Sequence, residues 1–116
     1  MNIETLRAYC MSKKGTTESF PFNETTLVFK VMNKIYLLTN LEGEFSVSMK
    51  CDPKQALELR EEYSFIVPAY HMNKKHWNML FISELIPDTF LKKWIDHSYD
   101  LVARSLPQKQ QKELKK

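Results

Sequence analysis

Glycine occurs only at Gly15 and Gly43 in 116 residues. That excludes a P-loop and a Rossmann turn, each of which needs several glycines where the backbone closes around a phosphate. There is no G-x-S-x-G nucleophile elbow and no H-E-x-x-H zinc helix. Acid pairs such as Glu61-Glu62 are adjacent on a helix and point apart. No catalytic residue is nominated, and a non-enzymatic protein is expected. Cys10 and Cys51 are the only cysteines, lie far apart and show no C-x-x-C spacing. Two reduced thiols are therefore expected, with no metal site and no disulfide. No apolar run approaches the roughly 18 residues of a membrane span. The first dozen residues carry Glu4 and lack both a basic start and an apolar run, so a cytoplasmic protein with no membrane partner is expected.

What charge there is lies at one end. Lys109, Lys112, Lys115 and Lys116 against Glu113 place the entire net charge of +3 in the last ten residues, leaving 1–106 neutral. Attraction to a polyanion must then come from a local patch or from this basic tail, which is expected to be frayed. The length suits one domain, assigned to 1–106, with 107–116 as the tail.

The pattern of the body is mixed α and β. Asn2 can cap a first helix presenting Ile3, Leu6, Cys10 and Met11 on one side and ending near Gly15. Phe20-Pro21-Phe22 suggests a short edge strand. Residues 25–31 and 34–39 read as a hairpin, with Asn33 suited to a left-handed turn position. From Phe45 to Lys50 apolar and polar residues alternate without a break, as in a strand with one wet face. Asp52-Pro53 opens a second helix, on whose apolar arc Arg60 falls. Arg60 either covers the core edge with its methylenes or binds an anion at a cleft rim. Residues 77–82 read as a strand with Trp77, Met79 and Phe81 on one face. Pro87 begins a last helix to Leu106, striped by Phe90, Leu91, Trp94, Ile95, Ser98, Leu101, Val102 and Ser105.

The densest chemistry is Tyr70-His71-Met72-Asn73-Lys74-Lys75-His76-Trp77-Asn78. Cations beside aromatic rings and amides suit a ligand with phosphate and planar bases. A strand beginning here can place Trp77 in the core and turn Asn73, Lys74, His76 and Asn78 to a ligand. Lys74 and Lys75 would hold phosphate, with Lys30 or Lys50 extending the patch. The bland alternative is a solvated loop. His71 and His76 are five apart, not the four that aligns two ligands on a helix, so no metal is selected. His97, at the border of the last helix's stripe, reads as a packed residue.

Several of these stretches together resemble the YjbR/MmcQ family of small bacterial proteins. They are Ile3 to Cys10, Glu18-Ser19-Phe20-Pro21-Phe22, Leu27 to Val31, Lys50-Cys51-Asp52-Pro53, Ala56 to Tyr63, Pro68 to Asn78 and Asp96-His97-Ser98-Tyr99. The resemblance implies an α+β fold, a single compact domain whose antiparallel β-sheet is packed by helices in the double-wing, frataxin-like arrangement. It implies DNA as partner, since members are commonly labelled DNA-binding proteins; no cofactor is expected. Met32-Asn33 stands where the family often has Gly-Gly. Frataxin-like iron binding does not carry over, because Glu4 is the only acid of the first helix. The leading expectation is DNA binding by Lys74, Lys75, His76 and Asn78. The alternative is a small planar or anionic ligand held by Tyr70, His71, Trp77 and Arg60 around a cleft.

Overall fold

Asn2 starts α1 (Ile3–Met11) with a reciprocal cap: its side-chain oxygen accepts from the Thr5 N–H at 2.8 Å, and Thr5 Oγ1 accepts from the Asn2 N–H at 2.9 Å. In the computed structural model, which describes residues 1–116, this helix is followed by four strands. These are β1 (Thr16–Ser19), β2 (Thr26–Val31), β3 (Lys34–Asn40) and β4 (Ser46–Lys50). Then come α2 (Pro53–Glu62), β5 (Ile66–Pro68), β6 (Trp77–Phe81), α3 (Asp88–Arg104) and α4 (Gln108–Lys115). The strands form one sheet in the order β1-β2-β3-β4-β6-β5, antiparallel at every pairing.

The β2–β3 turn is built on two left-handed residues, Met32 at φ 49° and Asn33 at φ 73°. A two-residue hairpin loop of this kind matches the strand twist but favours glycine or asparagine, which accounts for Asn33 and makes Met32 the unusual member. Asp52 caps α2 by accepting from the Gln55 N–H at 3.2 Å, and Pro53 takes the first helical position.

Directly opposed residues share a face, so the register identifies both sides of the sheet. Leu27, Thr39, Val47, Leu80 and Ile66 form one row, and Phe29, Leu37, Met49 and Asn78 the next. Against these rows α1 buries Leu6 and Cys10, α2 buries Ala56 and Leu59, and α3 buries Leu91, Trp94, Ile95 and Val102. Each fully buried large apolar side chain contributes about 1.5–3 kcal/mol, which makes this face the source of stability. Polar ties hold the layers in register. Arg7 forms a two-pronged ion pair with Glu18 of β1, and the Tyr9 hydroxyl donates to Asp96 at 2.6 Å. Lys13 also meets Asp96 and lies over the Tyr9 and Tyr99 rings.

Three sequence expectations change. The short strand lies at Thr16–Ser19 and not at Phe20-Pro21-Phe22, which is loop; Pro21 has no N–H to give a ladder. Ile66–Pro68 adds an edge strand too short to announce itself by alternation. The basic C-terminal segment is helix α4. Its Gln111 amide donates to the Leu106 and Arg104 carbonyls at 2.7 and 3.0 Å, satisfying the end of α3, and Leu114 packs against the core. Cys10 and Cys51 are unbonded, and burial raises their thiols to about 12 and about 11, which leaves them protonated.

Candidate functional site

The three core-facing helices leave the other side of the sheet without a helical cover. Its central row runs Ser19, Val28, Leu38, Ser48, Met79, Val67 across all six strands. Two loops rise beside this row. In the first, between β1 and β2, the Asn23 side-chain oxygen accepts from the Thr25 and Thr26 N–H groups at 2.9 and 2.7 Å, fixing a tight turn next to Phe22. The second joins β5 to β6 and carries the nine-residue cluster. Its ends are clamped where the Ala69 N–H donates to the Trp77 carbonyl at 3.1 Å and the Cys51 N–H to the His76 carbonyl at 2.7 Å. Inside it, the Asn73 side-chain oxygen accepts from the Lys75 N–H at 2.9 Å and the Asn73 carbonyl from the His76 N–H at 3.0 Å.

Between these loops lies an open groove of about 590 Å³. Leu38, Ser48 and Met79 contribute to its floor, while Phe22, Tyr70 and His71 stand on the loops beside it. No Lys, Arg, Asp or Glu is among its lining residues. Phe22 and Tyr70 are 62% and 61% exposed, a large apolar surface on loops whose neighbouring residues Thr25, Thr26, Ala69 and Met72 are hydrogen-bonded in place. Positive charge begins immediately outside. The Lys74 ammonium stands 5.1 Å from the centre of the Tyr70 ring. Lys75 is exposed on the same loop, and Lys30 and Lys50 lie on the same sheet face as the groove, Lys50 directly opposite Trp77, where that loop ends. A neutral, partly aromatic concavity edged by ammonium groups can take a flat ring and hold an attached anion.

The structure therefore brings together part of the expected set. Tyr70 and His71 line the groove, and Asn73, Lys74 and Lys75 are exposed beside it. His76 is half-buried and serves the loop through its backbone. Trp77 is buried on the groove side of the sheet without lining the groove, and Asn78 points the opposite way. Asn78 is 2% exposed on the helix side and donates from Nδ2 to the Ala56 carbonyl at 3.1 Å. Arg60 is on that side too: its Nε donates to the same carbonyl at 3.3 Å, and it is absent from the groove. Asn78 thus ties β6 to α2, while the Arg60 bond closes back within α2 itself. Phe22, Leu38, Ser48 and Met79 are groove residues that sequence reasoning does not single out. The alternating Ser46, Ser48, Lys50 face is the one available signal for them.

Elsewhere, His97 Nε2 accepts from the Asp52 N–H at 3.1 Å, which joins α3 to the start of α2. Burial holds His97 below the usual histidine range, with Arg104 and Lys93 acting in the same direction and Asp52 and Asp100 opposing it. No three His, Cys, Asp or Glu side chains converge anywhere in the chain, and no helix is long and apolar enough to cross a membrane.

Comparison with known proteins agrees with this architecture. The family model described as YjbR matches residues 11–101. The uncharacterized protein YjbR of Escherichia coli (strain K12) is 30% identical over 113 residues, spanning 97% of this chain and 96% of that one. The uncharacterized protein YbdF of Escherichia coli O157:H7 is 36% identical over 113 residues, spanning 97% and 93%. The crystal structure of the Deinococcus radiodurans protein DR2400 superposes with a TM-score of 0.90 at 35% identity, covering 97% of this chain and 87% of that one. A crystal structure from Pseudomonas syringae gives 0.74 at 25% identity, covering 88% and 99%. With the helix-backed antiparallel sheet, the match along almost the whole length and the close superposition all in agreement, the chain belongs to the YjbR family.

Proposed function

We propose that this chain is a non-enzymatic DNA-binding protein that receives an unpaired strand on the helix-free face of its sheet. The observation that carries the reading is the pairing of exposed Tyr70 and Phe22 beside the groove with the Lys74 ammonium over the Tyr70 ring. Unpaired bases offer their flat faces to aromatic side chains, whereas a duplex keeps those faces stacked inside. No helix projects from this side to enter a major groove, so duplex reading of that kind is not available here. With 1–106 neutral overall, the lysines of this face would act locally on phosphates beside the bound bases.

A second reading is favoured by one feature, the absence of charged residues from the groove lining. It makes the ligand a small planar metabolite, such as a nucleobase-like ring, seated between Phe22 and Tyr70. The volume of about 590 Å³ is of the size that such ligands occupy.

Fluorescence anisotropy with one labelled oligonucleotide, single-stranded and then annealed to its complement, at low and at physiological salt, tests the first reading. Tighter binding of the single strand is expected. Tighter binding of the duplex would overturn the proposed face. Failure of both nucleic acids, together with a thermal shift caused by free nucleotides or planar heterocycles, would move the assignment to the second reading.

A further inference from the structure

The junction of β6 with α2 and α3 contains two orphaned polar atoms. Asn78 Oδ1 and Trp94 Nε1 are both shielded from solvent, and neither has a hydrogen-bond partner in the protein. The assignment of the Asn78 amide is fixed by its surroundings: Nδ2 must face the Ala56 carbonyl, which can only accept, so Oδ1 is turned elsewhere. One atom is a pure acceptor and the other a pure donor. Left as they are, each would have given up its hydration with nothing in return.

Both residues line the same small cavity, together with Met49, Lys50, Cys51, Leu59 and Leu80. Its volume of about 10 Å³ approximates the space that the centre of one water molecule needs. A cavity lined only by apolar groups stays dry, but this one has a donor and an acceptor in its wall. We propose that a single internal water occupies it, accepting from Trp94 Nε1–H and donating to Asn78 Oδ1. The second water proton would be turned to the weakly accepting Cys51 sulfur, which burial keeps in the thiol form. Such a water links α3 through Trp94 to β6 through Asn78, and from Asn78 to α2 through Ala56. It would also hold the start of β6, where the loop of Tyr70 to His76 ends, so hydration of the core would support the wall of the groove.

The test uses the intact chain labelled with nitrogen-15. The two indole N–H protons, of Trp77 and Trp94, are resolved in the proton spectrum and assigned by the loss of one signal in Trp94→Phe. In laboratory-frame and rotating-frame Overhauser spectra edited on the indole nitrogen, the Trp94 proton should show a direct dipolar cross-peak to water. Its rotating-frame sign, opposite to the diagonal, separates a bound molecule from proton exchange. Asn78→Leu, which removes the acceptor at similar size, should abolish that cross-peak while the Trp77 signal remains at its position. A Trp94 indole with no dipolar contact to water in the unmodified protein overturns the proposal. So does a crystal structure in which Trp94 Nε1 donates directly to Asn78 Oδ1, or a cross-peak that persists unchanged in Asn78→Leu.

Discussion

Ser98 Oγ donates to the Tyr36 carbonyl at 2.5 Å, from the middle of an otherwise apolar helix stripe. The same oxygen accepts from the Lys50 N–H at 2.9 Å. Tyr36 is the residue without a partner on β2, because the pairing slips between Phe29 opposite Leu37 and Lys30 opposite Ile35. The slip is a β-bulge, and a bulge leaves backbone groups outside the ladder. One hydroxyl thus completes two strands at the place where their own hydrogen bonds stop.

Replacing Ser98 with Ala should leave both backbone groups without this partner, the Tyr36 carbonyl in a buried site and the Lys50 N–H in a half-buried one. A loss of about 2–6 kcal/mol is expected in urea unfolding, from about 1–3 kcal/mol for each of the two unsatisfied groups. Ser98→Thr preserves the hydroxyl but adds a methyl to a packed site, and should recover part of the loss. A variant Ser98→Ala as stable as the parent would remove the hydroxyl from this account.

Acid should act through His97. Its neutral Nε2 accepts from the Asp52 N–H, and its folded value lies below the ordinary 6.5. Above 6.5 the imidazole is neutral in both states and the contact is intact. As the pH falls below 6.5 the unfolded chain takes up a proton that the folded chain resists, so stability declines until the folded value is passed. The stability measured by urea unfolding should fall on that interval, and His97→Gln, which keeps an accepting oxygen and cannot titrate there, should flatten this component. An unchanged profile in His97→Gln would assign the acid sensitivity to other groups.

Gly15 couples the front of the chain to its last helix. It sits at φ +76°, and a Cβ placed there would be 2.5 Å from Leu114 Cδ1. Gly15→Ala should cost about 1–2 kcal/mol from the left-handed backbone alone, with a further increment from displacing Leu114. In a Leu114→Ala background the increment should vanish, giving a measurable coupling in a double-mutant cycle. Strict additivity would place α4 away from Gly15.

The helices were legible because Asn2 and Asp52 accept from the first turns of α1 and α2, and because the apolar period of α3 runs from Leu91 to Val102 with only Ser98 breaking it. The hairpin was legible through Asn33. The groove was not, and the reason lies in β6. Alternation correctly puts Trp77, Met79 and Phe81 on one face, but it cannot say which face receives the helices. The large Trp77 ring invites assignment to the core, yet it is Asn78 and Leu80 that meet α2 and α3, with Asn78 made acceptable there by the Ala56 carbonyl. Once that choice reverses, Leu38, Ser48 and Met79 become a floor, and neighbours from β3, β4 and β6 meet only through the strand order. In the same way, the basic tail reads as unstructured by composition until Leu114 finds its place on the core and Gln111 finds the end of α3.

If a DNA strand is the ligand, as proposed, the contributions of rings and charges to its binding should separate by their salt dependence. Tyr70→Ala should weaken binding of a single strand by about 1–3 kcal/mol, the range for one stacked base, with the salt slope unchanged. Lys74→Ala with Lys75→Ala should instead lower the magnitude of the slope by about 0.7 for each phosphate of a single strand that is no longer neutralised. Neither change should move the melting temperature much, because Tyr70, Lys74 and Lys75 are exposed. The necessary control is α4, which carries Lys109, Lys112 and Lys115, is followed by Lys116 and is docked through Leu114. Deleting it would uncover the core, so these four lysines are better exchanged for Gln. If that exchange abolishes binding while the Lys74 and Lys75 variant binds like the parent, the DNA-binding surface belongs to α4 and the groove is left to a small planar ligand.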